Sequence, residues 1–305
     1  MAMYAWHQMP GIDMLFNNYD LRPDQFGNVR AVKELSSVAN QLGKERTLSE
    51  TFGGGGWDLT FKDMKRLADW EYVLGVNFMN EHLSFMTIKG RRKADYPQSL
   101  SYHAPYWEDY KTLADYFARL SLALSQGDQV NHALVIEPTT TAWMHYFPKS
   151  KKGVLKRIEK EFRAFVDELE KRQLEYDLGS EKIIEDHGSI DGNAFVIGER
   201  SYDLVVLPPN VENINHFTLE LITEYLKNGG KVLSFSTPAF VDGTYDESLR
   251  SKFEASGHWI PGDSLGSAQS LSLLKEKDFF IESPAVIDGK VYHMRRKMDG
   301  GQLIF

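Results

Sequence analysis

Glu50 stands three residues ahead of four consecutive glycines, in the run SETFGGGGWD that ends with Trp57 and Asp58. A carboxylate can protonate a leaving oxygen, activate water or attack an anomeric carbon, which is the chemistry of glycoside hydrolysis. Glycines let the backbone turn tightly behind such a group and leave it exposed. A tryptophan nearby offers a flat apolar face to the C–H surface of a sugar ring. Each feature also has a plainer meaning, since surface glutamates are common and tryptophans more often anchor packing. Other polar residues gather at matching places: Asn77, Asn80, Glu81 and His82 about thirty residues on, and Asp13 after the Pro10–Gly11 turn. His82 can bond sugar hydroxyls or be satisfied in a loop, and Glu81 can face a cleft or pair with an arginine. Asp13 reads equally as a sugar contact or a turn carboxylate. Tyr102, His103 and Trp107 can wall a subsite or anchor their loop; His7 says least.

The elements that must position these residues alternate. Val29, Val32, Leu35, Val38 and Leu42 predict a helix over residues 28–43, capped by Gly43. A short extended run at 46–49 leads into Glu50. Thr60 and Asp63 form a capping-box pattern ahead of Phe61, Met64, Leu67 and Leu74, so a second helix follows the glycines and stops at Gly75. Residues 76–80 read as the next strand, and Tyr106, Tyr110, Leu113, Phe117, Leu120 and Leu124 mark a third helix. Strand, loop and helix in this order imply a parallel sheet with right-handed crossovers. Glu50, Asn77, Asn80, Glu81 and His82 are then expected at the carboxyl ends of strands, the face that carries chemistry in an α/β barrel.

From about Gly127 the rhythm becomes that of an open doubly wound sheet. HALVIE (132–137), residues 175–178, YDLVVL (202–207) and KVLSF (231–235) read as strands, and residues 154–169 and 219–226 as helices. This half looks flavodoxin-like, without GxGxxG or P-loop motifs. Amidotransferases of such folds use a cysteine, and the chain has none. The last stretch, 290–305, predicts a hairpin turning at Asp299–Gly300 and stops as a strand begins, which suggests a chain cut from a longer protein.

Composition narrows the classes. At 305 residues two domains are the starting expectation, and 42% hydrophobic with 26% charged residues supports a packed core. A net charge of -8 argues against a nucleic-acid partner, which needs a basic face. No run reads as a signal peptide or is long enough to span a bilayer, so the chain reads as soluble.

The run SETFGGGGWDLTFKDMKRLADWEYVLGVNFMNEH, then GRRKADYPQSLSYHAPYW and DYFARLSLALSQG, resembles the late barrel strands of glycoside hydrolase family 106, which contains α-L-rhamnosidases. HQMPGIDML (7–15) resembles the preceding barrel segment of that family. The resemblance covers roughly residues 1–128. The second half is similar to the amidotransferase-like domain that follows the barrel in several sugar hydrolases, including the trimerisation domain of some β-galactosidases. The implied architecture is α/β: the C-terminal part of a (β/α)8 barrel over 1–128, a flavodoxin-like (class I amidotransferase-like) domain over 129–285, and the start of a following β domain over 286–305. Counting back makes residues 76–80 strand eight and the strand carrying Glu50 strand seven. The resemblance then implies Glu50 as general base of an inverting mechanism, with the general acid on strand four, upstream of residue 1. The 305 residues alone are therefore expected to be poor at hydrolysis. Implied substrate contacts are Asp13, Trp57, Glu81, His82, Tyr102 and His103.

An oligosaccharide or polysaccharide is the implied partner. Calcium accompanies some family members and is implied by the resemblance alone, since no Asp/Asn loop of EF-hand spacing is present. A homo-oligomer is open, because a flavodoxin-like domain can supply a subunit interface. An extracellular or periplasmic site follows only if a signal peptide lies upstream. Two alternatives stand beside the inverting rhamnosidase: a retaining β-glycosidase with Glu50 as nucleophile, and a non-catalytic carbohydrate-binding or assembly module indifferent to Glu50→Gln.

Overall fold

A computed structural model describes residues 1–14, 29–147, 152–275, 279–282 and 291–305. The expectations at Leu15, Asn28 and residues 286–290 lie outside the described residues. The chain divides into two compact units.

The N-terminal unit comprises Met3–Ala39, Lys44–Gln129 and His293–Phe305. Strands β1 (Gly11–Met14), β2 (Leu48–Thr51) and β3 (Phe78–Glu81) form a three-stranded parallel sheet in sequence order. Helix α1 (Val29–Gln41) lies between the first two strands, α2 (Phe61–Val73) between the next two, and α3 (Tyr110–Leu124) follows β3. The helical spacing in α1 has the expected result: Val29, Val32, Leu35 and Val38 are all buried. α2 begins at the expected capping box, with Asp63 N–H on Thr60 Oγ1 and Thr60 N–H on Asp63 Oδ2, each at 3.2 Å. It ends where Gly75, at φ +116°, lies so close to α1 that a Cβ there would stand 2.3 Å from that of Ser36.

The sequence reading misplaces Asn77. It precedes β3 and sits at the amino ends of the strands, where its side chain accepts from Thr47 N–H (3.0 Å) and donates to Glu45 O (2.9 Å). A buried amide bonding two backbone groups joins neighbouring strands and has no reach to the carboxyl face. Strand β4 (Asp128–Gln129) pairs antiparallel with the first strand of the expected hairpin, Arg295–Met298 against Gly301–Ile304. That hairpin belongs to the N-terminal unit.

The second unit comprises Val130–Tyr292 with Asn40–Gly43 and Met1–Ala2. Its strands are β5 (Ala133–Ile136), β6 (Tyr176–Gly179), β7 (Gly188–Asp191), β8 (Ala194–Ile197), β9 (Arg200–Tyr202), β10 (Leu204–Leu207), β11 (Asn213–Ile214), β12 (Lys231–Ser234), β13 (Phe240–Val241), β14 (Thr244–Tyr245) and β15 (Trp259–Pro261). Five of them make a parallel sheet in the order β15-β12-β10-β5-β6. Numbered among themselves the five run 2-1-3-4-5, an order of doubly wound sheets. β5, β6 and β10 are buried along their whole length, as the unbroken apolar runs of β5 and β10 require.

YDLVVL is not one strand. The chain breaks at Asp203, whose N–H bonds His132 O at 3.1 Å, and Tyr202 turns into the antiparallel sheet β7-β8-β9. The buried Tyr202 hydroxyl donates to Asp177 Oδ2 (2.9 Å), while Asn40 and Asn131 donate to Oδ1 at 2.9 and 2.8 Å. These three donors satisfy the one carboxylate that β6 buries completely.

Candidate functional site

Alternation along β2 decides which residues meet. Ser49 and Thr51 are buried on one face, while Leu48 and Glu50 are partly exposed on the other. Parallel register aligns Asp13, Glu50 and Asn80 in a single row across the three strands. Asp13 and Asn80 are exposed, and Phe78, two residues before Asn80, is 43% exposed. This face therefore carries two carboxylates and an amide, together with the exposed Phe78. His82, one residue past β3, brings Nε2 to 3.9 Å from Glu50 Oε1. That separation is outside hydrogen-bond range.

Behind β2 the opposite face is buried. Thr51 donates to the buried Glu71 of α2 at 2.9 Å. Burial pushes the Glu71 carboxyl up to about 8, against the opposing effect of the hydroxyls beside it, so below that pH it is a neutral acid behind the strand that carries Glu50. Glu81 shares this orientation. It aligns with Thr51 and Met14, and Tyr110 of α3 donates to it at 2.9 Å, so the structure does not bring it to Glu50.

The four glycines now have a geometric account. Phe52, fully buried, leaves β2 at φ +70°, a conformation rare for a bulky residue. The turn then lies against the loop after β3. Gly56 N–H bonds Pro97 O at 2.8 Å, and Trp57 Nε1 donates to Lys93 O at 2.6 Å. A Cβ on Gly55 would meet Leu59 Cδ2 at 2.8 Å, with Gln98 Oε1 and Phe52 O at 3.1 Å. The glycines thus fit a close approach of two loops, and Trp57 is partly exposed and pinned by its indole N–H.

Tyr102 and His103 belong to that second loop. His103 Nδ1 lies 2.9 Å from Ser101 Oγ and 3.2 Å from Ser99 Oγ, and the 74% exposed Tyr102 ring lies tilted against its ring at 4.2 Å between centroids. Trp107 stacks on Tyr110 at 5.8 Å. The structure therefore groups Asp13, Glu50, Asn80 and His82 in one place, and ties Trp57, Tyr102 and His103 to the adjoining loops.

Two residues escaped the sequence reading. Glu71 left a signal, because it falls on the same stripe of α2 as the buried Met64 and Leu67, where an acid is out of place. Gln98, 1% exposed, left none, for its loop has no periodicity.

Among the described residues no group of three or more His, Asp or Glu comes together that could hold a metal ion. No helix among them is long and apolar enough to cross a membrane.

Residues 1–252 match the family model of glycoside hydrolase family 106, described as alpha-L-rhamnosidase. No curated protein matches the chain. Among solved structures, the rhamnosidase from Novosphingobium sp. PP1Y superposes with a TM-score of 0.70 at 18% identity, over 99% of this chain. A catalytic mutant of a GH42 beta-galactosidase from G. stearothermophilus gives 0.57 at 9% identity, covering 82% of this chain and 36% of its own. The beta-galactosidase from Rahnella sp. R3 gives 0.53 at 10% identity, covering 79% and 35%. These likenesses are of fold. The chain spans only 29% of the length of the Novosphingobium protein. On the family match over most of its length, the chain belongs to glycoside hydrolase family 106, the alpha-L-rhamnosidase family.

Proposed function

We propose that this chain supplies the base side of an inverting α-L-rhamnosidase site, with Glu50 as the general base. The observation that carries this is the row Asp13, Glu50 and Asn80 on the open face of a parallel sheet, with His82 beside it. Glu50 removes a proton from water as its oxygen attacks the anomeric carbon. The leaving oxygen takes its proton from a carboxylic acid on a strand beyond β1–β3, about 6.5 to 9.5 Å from Glu50 in an inverting site. In this reading β1–β3 are the late strands of a (β/α)8 barrel, and residues 129–285 are a flavodoxin-like domain without catalytic groups. Asp13 and His82 contact sugar hydroxyls, and Trp57, Tyr102 and His103 wall the subsite of an oligosaccharide or polysaccharide.

One observation favours a second reading. Asp13 is the register partner of Glu50, and neighbouring strands lie about 4.8 Å apart, which places two carboxylates close enough for a retaining pair. Glu50 is then the nucleophile. The test is hydrolysis of an aryl α-L-rhamnoside by the 305-residue chain and by a longer protein completing the barrel, each with and without Glu50→Gln, with the first-formed anomer read by proton NMR. Inversion supports the first reading and retention the second. Activity that survives Glu50→Gln defeats both.

A further inference from the structure

We infer that Gln98 is a positioning residue that fixes His82 against Glu50, so that the two side chains hold one hydroxyl or water oxygen between them. The inference rests on the reading of Glu50 as the reactive carboxylate. Gln98 is 1% exposed, and its amide nitrogen donates to the backbone oxygen of His82 at 3.1 Å. The backbone N–H of His82 donates to Thr51 O at 2.8 Å. Both peptide groups of His82 are therefore fixed, one by the end of β2 and the other by a buried side chain.

The imidazole has little freedom left. Its side chain is 16% exposed, its ring lies 6.1 Å from that of Tyr96, and Nδ1 is buried with no partner among the described residues. With a proton on Nε2 the ring aims that donor toward Glu50. At 3.9 Å the two groups are too far apart for a direct bond, yet an oxygen between them can lie about 2.8 Å from each. Glu50 accepts from that oxygen and His82 donates to it. Gln98 in turn lies against the glycine turn, since its Oε1, also buried and without a partner among the described residues, is 3.1 Å from where a Gly55 Cβ would stand. The glycines behind Glu50 thus make room for the residue that orients its neighbour.

The test needs no sugar. Nitrogen-15 spectra of the imidazole rings of the 305-residue chain, with the His82 signals assigned by their loss in His82→Asn, should show one tautomer protonated on Nε2. Gln98→Leu keeps the volume and removes the donor, and should turn that single form into a mixture. Should Gln98→Leu fail to fold, Gly55→Ala presses on Gln98 Oε1 from the other side and should have the same effect on His82. An unchanged His82 tautomer in the folded variant, with only melting temperature lowered, overturns the inference. In a protein with measurable rhamnoside hydrolysis, Gln98→Leu should lower kcat at least about tenfold with KM within about twofold. An unchanged kcat there also overturns it. If the longer protein that completes the barrel cleaves no rhamnoside while the spectral effect appears, the rhamnosidase reading fails and the positioning role stands.

Discussion

The two parallel sheets of this molecule treat polar residues in opposite ways. In the five-stranded sheet β5, β6 and β10 are buried throughout, and the carboxylate of Asp177 survives there because three side chains donate to it. In the three-stranded sheet one face is packed and the other is open, and Glu50 sits on the open face at 37% side-chain exposure with His82 beyond bonding distance. A satisfied, buried carboxylate holds structure. One left unsatisfied where water and ligand can reach it is available for chemistry. Parallel topology is common to both sheets, so the difference lies in which faces are covered.

The largest test of this contrast is on Glu50. If the open face is the reactive one, Glu50→Gln should reduce rhamnoside hydrolysis by about 10² to 10⁴, the range of a general base, while the free energy of urea unfolding changes by less than about 0.5 kcal/mol. A large loss of stability with hydrolysis retained would reverse the assignment of roles between the sheets.

Glu71 sharpens the distinction within a single strand, because it lies behind β2 while Glu50 lies in front. Its folded pKa, about 8, is above the ordinary 4.5, so the folded state holds a proton that the unfolded state releases between these values. Stability is then fullest below pH 4.5 and falls as pH rises toward 8, by roughly 4 to 5 kcal/mol at most. Glu71→Gln, a neutral isostere, should flatten this part of the pH profile of unfolding. An unaltered slope in the variant would show that Glu71 does not carry the proton.

Asp177 tests the buried side of the comparison. Asp177→Ala removes the acceptor shared by Asn40, Asn131 and Tyr202, and should cost about 3 kcal/mol in urea unfolding without affecting His82 spectra. A cost below about 1 kcal/mol would mean that water replaces the carboxylate and that this sheet is less dry than its burial indicates.

The extent to which this could be read from sequence follows from the range of each interaction. Periodicity exposes helices that bury one face, so α1, α2 and α3 were legible from Val29, Met64 and Phe117 and their neighbours. The unbroken LVVL run likewise announced β10, yet its continuity hid the break at Asp203, since an aspartate between apolar residues gives no sign of which sheet each side joins. Glu50 draws notice in the sequence because four glycines close behind a carboxylate are an uncommon pattern. The row it forms with Asp13 and Asn80 depends on register, which is a long-range property. Asn77 and Glu81 show the same limit from the other side. Both are polar residues near a strand, and one residue of alternation sends Glu81 to the packed face while Asn77 falls at the wrong end.

The smallest predicted effect concerns the device that starts α2. Thr60 Oγ1 accepts from Asp63 N–H and the Asp63 carboxylate accepts from Thr60 N–H, both at an exposed helix start. Thr60→Ala removes one half of this reciprocal pair and should cost about 1 kcal/mol, and Thr60→Ser should restore most of it. The glycine turn reaches Thr60 directly, and Leu59, buried beside it, touches the place of a Gly55 side chain. If the cap only starts the helix, the tautomer of His82 will be unchanged in Thr60→Ala. If the cap also holds the turn in place, the loss will reach Gln98 through Leu59, and the His82 signal will change with it. The open face would then depend on a bond made at the surface, whereas the five-stranded sheet draws its order from its buried interior.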